Sequence, residues 1–336
     1  MIKKRLASYF AIIIIFAIIL LFITYFLGPK LLYLPSGKIR VGYIKHAAEL
    51  PLYVALENGY FEKQNLKVEL IPLGYKEEMD ALIRGDIDII PATSLTLPFG
   101  VESESPELLK LHTFGGVIDD DKEIVEAIVV LNESSIYSLN DLKNKKIGVT
   151  SGGVDLFVVK TVLTKVGLKP EENNIQILQM DRKLLLMSLA SRQVDAIYVT
   201  QPDLASIVHT VNSRYVVINP RAKYILNPFW SGAGVVTSKY LIKNSETFKK
   251  YLVAIDEAIE YSRLNPIESK KLLVKYTPVN ESIALDVGIY FKVKSNESIN
   301  LTAVQQIADT YVEVGILKKN INVTNLYLSP EYVKAL

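Results

Sequence analysis

The strongest constraint on the fold of this chain is an alternation of short strands and helices across residues 39–92. Three apolar runs predict the strands: Ile39–Ile44, Leu66–Pro72 and Ile87–Pro91. Pro51 starts the first helix, where its missing N–H is not needed, and Gly59 stands where a helix end favours a left-handed residue. Strands and helices that alternate at this spacing predict a parallel sheet with right-handed crossovers.

The same pattern occurs a second time, across residues 146–199. The segment Leu189–Asp195 aligns residue by residue with Leu82–Asp88, at the end of the second helix in each copy. Arg192 stands where the first copy has Gly85, so the two turns are expected to differ in detail. Two copies of one βαβαβ unit predict two similar lobes rather than one continuous sheet.

Several runs resemble a known family. Pro51–Lys63 is similar to a signature of the nitrate, sulfonate and taurine-type solute-binding proteins, and Arg84–Ile89 and Ser138–Val149 resemble later motifs of that family. Asn65 replaces the family's usual glycine, but asparagine tolerates positive φ better than most residues. The resemblance covers residues 38–290. It implies an α/β, two-lobed, periplasmic-binding-protein-like fold of type II, each lobe a mostly parallel sheet flanked by helices.

The expected lobes are discontinuous in sequence. Lobe I is predicted to comprise residues 38–127 and 233–336, and lobe II to comprise residues 128–232. The strands Glu126–Leu131 and Gly232–Thr237 are predicted to cross between the lobes and to act as a hinge. Apolar periodicity predicts a set of C-terminal helices, which the resemblance implies pack on lobe I: Phe248–Leu264, Ile267–Tyr276, Ile283–Tyr290 and Thr302–Val314.

The N-terminus predicts a membrane anchor over residues 1–28, followed by a tether over residues 29–37. Residues 9–27 carry no charge and approach the ~20 apolar residues that cross a bilayer. Basic residues at positions 3–5 place the short N-terminus in the cytoplasm and the bulk of the chain outside. The alternative is a cleaved secretory signal, whose apolar core is usually shorter.

Composition excludes several kinds of chemistry. The chain has no cysteine, so disulfides, thiolate catalysis and cysteine metal sites are excluded, as is a lipid-anchored cysteine. A net charge of +2 gives no indication of a nucleic-acid partner. Three dispersed histidines predict no metal site, and no cofactor motif is present. Together with the absence of cysteine and the abundance of isoleucine, tyrosine and lysine, five sequons indicate an archaeal-like surface glycoprotein: Asn132, Asn280, Asn296, Asn300 and Asn322.

The candidate site lies on loops that follow strands, because open parallel sheets bind ligands beyond the carboxyl ends of their strands. The candidate ligand-binding residues are Lys45, His46, Glu49, Thr93, Ser94, Phe114, Ser151, Gly152, Gly153, Tyr198, Gln201 and Trp230. Ser151–Gly153 precedes a helix, where consecutive N–H groups form an anion site; a plain turn is the alternative. Glu49 would instead favour an amine-bearing ligand. His46 is either a ligand contact or a loop histidine, and Trp230 is either cleft wall or lobe core.

Together these features predict an extracytoplasmic receptor that captures a small, partly anionic ligand of the sulfonate, nitrate or taurine kind. By resemblance, its partners would be an ABC permease and ATPase, and the receptor is expected to be a membrane-anchored monomer without catalytic activity. One alternative is an enzyme of the same fold, of the thiamine-pyrimidine or menaquinone-pathway type. The former uses a cysteine-rich motif that this chain lacks, and the latter are cytoplasmic. A sensor domain is a further alternative, but residues 1–8 hold no signalling module.

Overall fold

The computed structural model describes residues 37–112, 116–118, 123–151, 154–295, 297 and 299–335. The predicted membrane anchor and nearly all of the predicted tether lie outside these residues, as does the sequon at Asn296. Within the described ranges, no helix is both long enough and apolar enough to cross a bilayer.

The strands of the described residues form two five-stranded sheets and one three-stranded sheet. In chain order they are β1 (Gly37–Tyr43), β2 (Leu66–Pro72), β3 (Ile89–Ser94), β4 (Leu109–His112), β5 (Gly116–Ile118), β6 (Glu126–Leu131), β7 (Lys146–Thr150), β8 (Gln176–Met180), β9 (Ala196–Thr200), β10 (Ser213–Ile218), β11 (Phe229–Trp230), β12 (Gly232–Thr237) and β13 (Phe291–Lys292). The two large sheets have the orders β2-β1-β3-β12-β4 and β10-β6-β9-β7-β8. The small sheet joins β11, β5 and β13.

Helices flank both large sheets. In chain order they are α1 (Leu50–Glu57), α2 (Tyr60–Lys63), α3 (Glu78–Arg84), α4 (Thr96–Glu104), α5 (Asp155–Lys165), α6 (Arg182–Ala190), α7 (Asp203–Thr210), α8 (Pro220–Tyr224), α9 (Ser238–Lys243), α10 (Ser245–Leu264), α11 (Pro266–Lys271), α12 (Leu273–Tyr276), α13 (Glu281–Ala284), α14 (Leu301–Glu313) and α15 (Pro330–Ala335). Short 3-10 turns cover Ala47–Glu49, Leu139–Leu142 and Val323–Asn325. Gly59 separates α1 from α2 with the predicted left-handed backbone, at φ 69°.

The two large sheets have equivalent pairing. β1 pairs in parallel with β2 and β3, and β7 pairs in parallel with β8 and β9. Each parallel unit is extended by one antiparallel strand. This strand is β12, paired with β3, in the first sheet, and β6, paired with β9, in the second. The sequence repeat is therefore confirmed as two similar α/β units. We call the first sheet with its helices lobe I, and the second sheet with its helices lobe II.

Each of the two aligned segments ends in an aspartate, and the two aspartates make equivalent hydrogen bonds in their lobes. Asp88 Oδ2 accepts a hydrogen bond from the Arg40 N–H at 2.8 Å, and Asp195 Oδ2 accepts one from the Lys146 N–H at 2.8 Å. The backbone N–H of each aspartate donates in return to the carbonyl of the same partner, at 2.8 Å and 2.9 Å. These paired bonds fix the entry of β3 against β1, and of β9 against β7.

The turns before these aspartates share one backbone conformation, so the expectation that they differ is wrong. Gly85 has φ 80°, and Arg192 adopts the left-handed region as well, at φ 60°. A side chain in this region costs roughly 1–2 kcal/mol, which the lobe's packing must offset. Asn65 also has a positive φ, at 55°, as the sequence predicts.

Strand β6 shows how the second sheet is covered on both faces. Ala127 and Val129 lie in one apolar cluster, whereas Ile128 and Val130 lie in another. None of the four has any exposed surface. Because successive side chains of a strand point to opposite faces, one apolar run supplies the core above the sheet and the core below it.

The predicted helix over Ile283–Tyr290 is wrong beyond its first turn, since α13 ends at Ala284. Gly288 packs against the segment that enters lobe II, where an added Cβ would lie 2.0 Å from the Ile124 carbonyl oxygen. This close approach of two backbones holds the chain after α13 in an irregular path. The path brings Tyr290 to the space between the lobes.

Candidate ligand-binding site

A cavity of about 320 Å³ lies between the two lobes. Lobe I supplies wall residues from the ends of β1 and β3, and lobe II supplies them from the ends of β7 and β9. These are the carboxyl ends of the parallel strands, where the strand-end rule places a ligand. The volume is at the lower end of the range for small-molecule pockets, so it suits a compact solute.

His46 follows β1 and connects the lobes at the cavity. Its Nδ1 accepts a hydrogen bond from the Ala48 N–H at 3.0 Å, which caps the short turn that begins at Ala47. In the neutral ring the proton is therefore on Nε2, which lies 3.5 Å from Thr200 Oγ1 of lobe II. The ring centroid is 5.7 Å from that of Tyr290. His46 is thus both a turn cap and a wall residue.

Arg182 and Asp203 form an ion pair on the lobe II wall. Each is the first residue of a helix that follows a strand, α6 after β8 and α7 after β9. Arg182 Nε donates to Asp203 Oδ2, so the two charges neutralise each other. Among the described residues, Arg182 Nη2 is buried without a hydrogen-bond partner. A ligand oxygen at this position would satisfy a donor that is otherwise costly to bury.

A second arginine of the wall is fixed from behind. Glu126 Oε2 accepts hydrogen bonds from Arg221 Nε at 2.7 Å and from the Tyr198 hydroxyl at 2.6 Å. Glu126 Oε1 accepts a third, from the Arg221 backbone N–H at 2.9 Å. Burial alone would lower the pKa of Arg221, but Glu126 raises that pKa well above its ordinary value. Arg221 is therefore cationic, and its charge is already balanced.

Asp155 supplies a further carboxyl, on the first turn of α5. Burial raises its pKa to about 6, although hydrogen bonds from Thr150 and the charge of Arg221 oppose the shift. Asp155 is therefore largely ionised at neutral pH. The two arginines that line the described wall pair with Asp203 and Glu126. Among the described wall residues, Asp155 is therefore the carboxylate that has no ion-pair partner of its own. It is suited to accept a hydrogen bond from a donor group on the ligand.

The structure brings three of the predicted site residues together on the cavity wall: His46, Thr93 and Ser94. Phe114, Gly152 and Gly153 lie outside the described residues, so the anion site predicted at Ser151–Gly153 stays a prediction. Ser151 itself is exposed and is not on the wall, and its backbone N–H donates to the Met180 carbonyl at 2.8 Å.

Three further predicted residues lie off the cavity wall. Lys45 is exposed to solvent, because it precedes the turn that His46 caps. Glu49 is buried, with 1 % of its surface exposed, at the end of that turn. Trp230 lies in a lobe I core cluster and is 8 % exposed, since β11 pairs with β5 and turns the indole inward. For Trp230 the structure therefore shows the lobe-core alternative.

Two predicted residues near the end of β9 have structural partners instead. The Tyr198 hydroxyl is held by Glu126, on the side of the sheet that this strand position faces. The Gln201 amide donates to the Ile124 carbonyl at 3.0 Å and accepts from the Ala205 N–H at 3.2 Å. These bonds tie the crossing segment to α7. Neither residue is among those that line the cavity.

Sequence analysis missed the charged part of the wall. Asp155, Arg182 and Asp203 are the first residues of helices that follow strands, so the rule that found Thr93 could also have found them. Arg221 and Tyr290 gave no such signal. They reach the cavity only because α8 and the segment after α13 fold back from distant parts of the chain.

Solved structures of other proteins have the same arrangement. The periplasmic aliphatic sulphonate binding protein SsuA from Escherichia coli matches with a TM-score of 0.70 at 20% identity, over 86% of this chain and 91% of that chain. The ligand-binding component of an ABC-type import system from Staphylococcus aureus gives a TM-score of 0.71 at 13% identity, over 90% and 99%. The desulfurization enzyme DszB matches with a TM-score of 0.66 at 13% identity, over 89% of this chain and 98% of that chain. The fold is therefore that of the periplasmic-binding-protein-like class.

Sequence comparison narrows the class. A protein of Brucella abortus named as a binding protein is 24% identical over 303 residues, covering 87% of this chain and 90% of that protein. A protein of Haemophilus influenzae named for thiamine biosynthesis is 25% identical over 287 residues, covering 82% and 84%. The NMT1/THI5-like family matches residues 46–269, well over half of the chain. The chain belongs to this NMT1/THI5-like family.

Proposed function

We propose that this protein is a solute-binding receptor that encloses a small ligand between its lobes and presents it to an ABC importer. The observation that carries the proposal is the interlobe cavity, whose wall comes from the strand ends of both lobes. Structural relatives support the assignment: one is named as a periplasmic sulphonate-binding protein, and another as the ligand-binding component of an ABC-type import system. A permease and an ATPase would be the partners. The receptor would act as a monomer that closes about β6 and β12.

The polar atoms of the cavity indicate the class of ligand. Arg182 Nη2 of lobe II and Thr93 Oγ1 of lobe I are both buried without a standard hydrogen bond among the described residues. Asp155 offers a carboxylate to a donor group. A compact molecule with an acceptor-rich end and an amino group would satisfy all three. Taurine and small aminopyrimidines have this combination, whereas nitrate lacks the donor.

An enzyme on the same fold is the weaker alternative, although DszB shows that the fold can carry one. The charged side chains Arg182, Asp203 and Arg221 of the cavity are held in ion pairs. His46 Nε2 carries the proton of the neutral ring, so it is placed to donate to Thr200 rather than to act as its base. No group of three or more histidine, aspartate or glutamate side chains within the described residues could hold a metal ion.

We further propose that residues 1–28 anchor the receptor in the cell membrane, with residues 29–37 as a tether and the lobes outside. The uncharged run and the preceding basic residues support this topology. An anchor would keep the receptor near its permease and raise its effective concentration there. The lobes would divide as residues 38–127 with 233–336, and 128–232. Exposed sequon asparagines fit a surface glycoprotein: Asn132, Asn280, Asn300 and Asn322.

Isothermal titration calorimetry tests the proposal with taurine, methanesulfonate, nitrate and 4-amino-5-hydroxymethyl-2-methylpyrimidine. We expect 1:1 binding of at least one compound that carries both an acceptor and an amino group. Arg182→Met should weaken that binding by about tenfold or more, since a charge-assisted hydrogen bond contributes roughly 1.5–3 kcal/mol. Arg84→Met, at a surface arginine, is the matched control. Binding that Arg182→Met leaves unchanged would place the ligand elsewhere, and no binding at all would contradict the proposed ligand class.

A further inference from the structure

A buried carboxyl lies behind the cavity wall and has no part in the site described so far. Glu78 is the first residue of α3 and has no exposed surface. Within the described residues, neither of its carboxyl oxygens forms a hydrogen bond of standard geometry. A carboxylate is strongly disfavoured in such surroundings, whereas a neutral carboxylic acid is tolerated much better.

The neighbours of Glu78 belong to the cavity. Thr93 is 4 % exposed and lines the cavity, and its hydroxyl is close enough to exert a lowering effect on the pKa of Glu78. Tyr75 also lines the cavity; burial raises its pKa, and the Glu78 carboxyl adds to that shift. Helix α3, which begins at Glu78, packs on β3, the strand that carries Thr93. The Glu78 carboxyl and the Thr93 hydroxyl are thus buried polar groups on two packed elements, and both lack a hydrogen bond of standard geometry among the described residues.

Burial decides the protonation state of this carboxyl. It raises the pKa of Glu78 to about 8, against the smaller opposing effect of the Thr93 hydroxyl. Glu78 is therefore mainly protonated at neutral pH and carries one O–H donor. The ionised form would carry none, because a carboxylate can only accept hydrogen bonds.

We propose that Glu78 is a positioning residue that sets the direction in which the Thr93 hydroxyl hydrogen-bonds to the ligand. With ligand bound, the neutral acid donates to Thr93 Oγ1, and the Thr93 hydrogen points to an acceptor on the ligand. An ionised Glu78 attracts that hydrogen to itself, so that Thr93 offers the ligand only lone pairs. The neutral acid thus favours ligands that present an acceptor to lobe I. This inference rests on the proposed binding function.

Infrared difference spectroscopy on the full chain tests the contact without any ligand. The wild-type protein at neutral pH is expected to show a protonated-carboxyl C=O band that is missing in Glu78→Gln. The band should shift in Thr93→Val, which removes the hydroxyl but keeps the shape of the side chain. A wild-type spectrum without the band, or a band that Thr93→Val leaves in place, would overturn the proposal.

Calorimetry against pH tests the effect on binding, with taurine and methanesulfonate as the probes. Wild-type affinity is expected to fall about tenfold between about pH 7 and pH 9.5, the equivalent of one hydrogen bond lost. Glu78→Gln keeps a donor toward Thr93 and does not titrate at position 78, so it should lack the tenfold fall and keep only the pH dependence that taurine's amino group and the other ionisable groups give to both proteins. The variant keeps the other ionisable wall groups, so their titration cancels in the comparison: His46, Tyr75, Asp155, Arg182, Asp203, Arg221 and Tyr290.

Equal pH profiles in the wild type and Glu78→Gln would overturn the inference. Binding of neither probe would contradict the proposed ligand class instead, and the infrared bands would then decide the role of Glu78. The two failures are therefore distinguishable.

Discussion

At the scale of single residues, Glu126 links the fold to the site. It lies at the start of β6 and holds Arg221 and Tyr198 through side-chain hydrogen bonds. The Arg221 and Glu126 side chains are 5% and 0% exposed. Two charges buried this deeply are tolerated only as a pair, so neither residue can change alone without leaving the other uncompensated.

Arg221→Met is therefore expected to destabilise the protein by about 3–5 kcal/mol, since it strands a buried carboxylate. The free energy of unfolding in urea measures the effect. Arg192→Met is the matched control, because the Arg192–Glu133 pair is 73% and 51% exposed. It should change stability by less than about 1 kcal/mol. Equal losses in the two variants would contradict this account of the pair.

Glu78 predicts how stability depends on pH. Its pKa is about 8 in the folded protein, against an ordinary value of 4.5. Between these values the folded state binds a proton that the unfolded state has lost, so stability falls as pH rises through this window. Glu78→Gln should lose less stability between about pH 5 and pH 8.5, measured by urea midpoints. A wild-type protein and variant that change in parallel would contradict the prediction.

The sequence was informative about some site residues and silent about others. The structure places the predicted residues His46, Thr93 and Ser94 on the cavity wall, because they lie at or just after the carboxyl ends of β1 and β3, and parallel strand ends meet at one edge of a sheet. Their contact with a ligand stays a prediction. Tyr198 lies off the cavity wall because alternation along β9 turns its side chain to the face where Glu126 accepts its hydroxyl hydrogen bond. Tyr290 could not be found, since only the tertiary path of the chain brings it there.

At the scale of elements, β12 shows how closely two strands of lobe I approach. Gly234 pairs with His112 of β4, and an added Cβ would lie 1.7 Å from His112 Cε1. His112 is fully buried beside Phe248 and Tyr251 of α10, with little room to move. The glycine is therefore required by packing, since its φ is not in the left-handed region.

Gly234→Ala is expected to destabilise the protein by about 1–3 kcal/mol or more, the usual range for overpacking. Gly100→Ala is the control, because an added Cβ there has no atom within 4 Å and α4 is a regular helix. It should be neutral or stabilising by up to about 1 kcal/mol. Thermal unfolding of both variants measures the difference. A Gly234→Ala protein as stable as the wild type would show that His112 can move aside.

The repeat made the elements of both sheets predictable, because period and spacing recur within the chain. β2, β6 and β12 have the bounds that the sequence predicts. The C-terminal helices were harder. Residues 285–290 carry an apolar pattern that suits a helix, but their backbone is in close contact with the segment entering lobe II. This contact is between residues far apart in sequence, so the local apolar pattern of residues 285–290 could not predict it.

At the scale of the whole molecule, the polar contacts between described residues of the two lobes include the His209–Asp286 pair, at 2.7 Å. His46 approaches Thr200 at 3.5 Å, and Lys165 pairs with Glu313 at 3.3 Å. An exposed ion pair such as Lys165–Glu313, whose side chains are 36% and 69% exposed, contributes about 0–1 kcal/mol. The exposed ion pair therefore adds little to holding the lobes together. A ligand that contacts both lobes adds differential affinity for the closed state and shifts the population toward it.

The most direct test of this account measures the distance between the lobes. The chain has no cysteine, so spin labels can be placed at Glu171→Cys in lobe II and Lys318→Cys in lobe I without background. Both positions are largely exposed, at 78% and 84%. Pulsed electron resonance then reports the label separation, with taurine or the best-binding solute at saturation. We predict a shorter and narrower distance distribution with ligand, and none of this change in Arg182→Met. The same distribution with and without ligand would contradict closure around a captured solute.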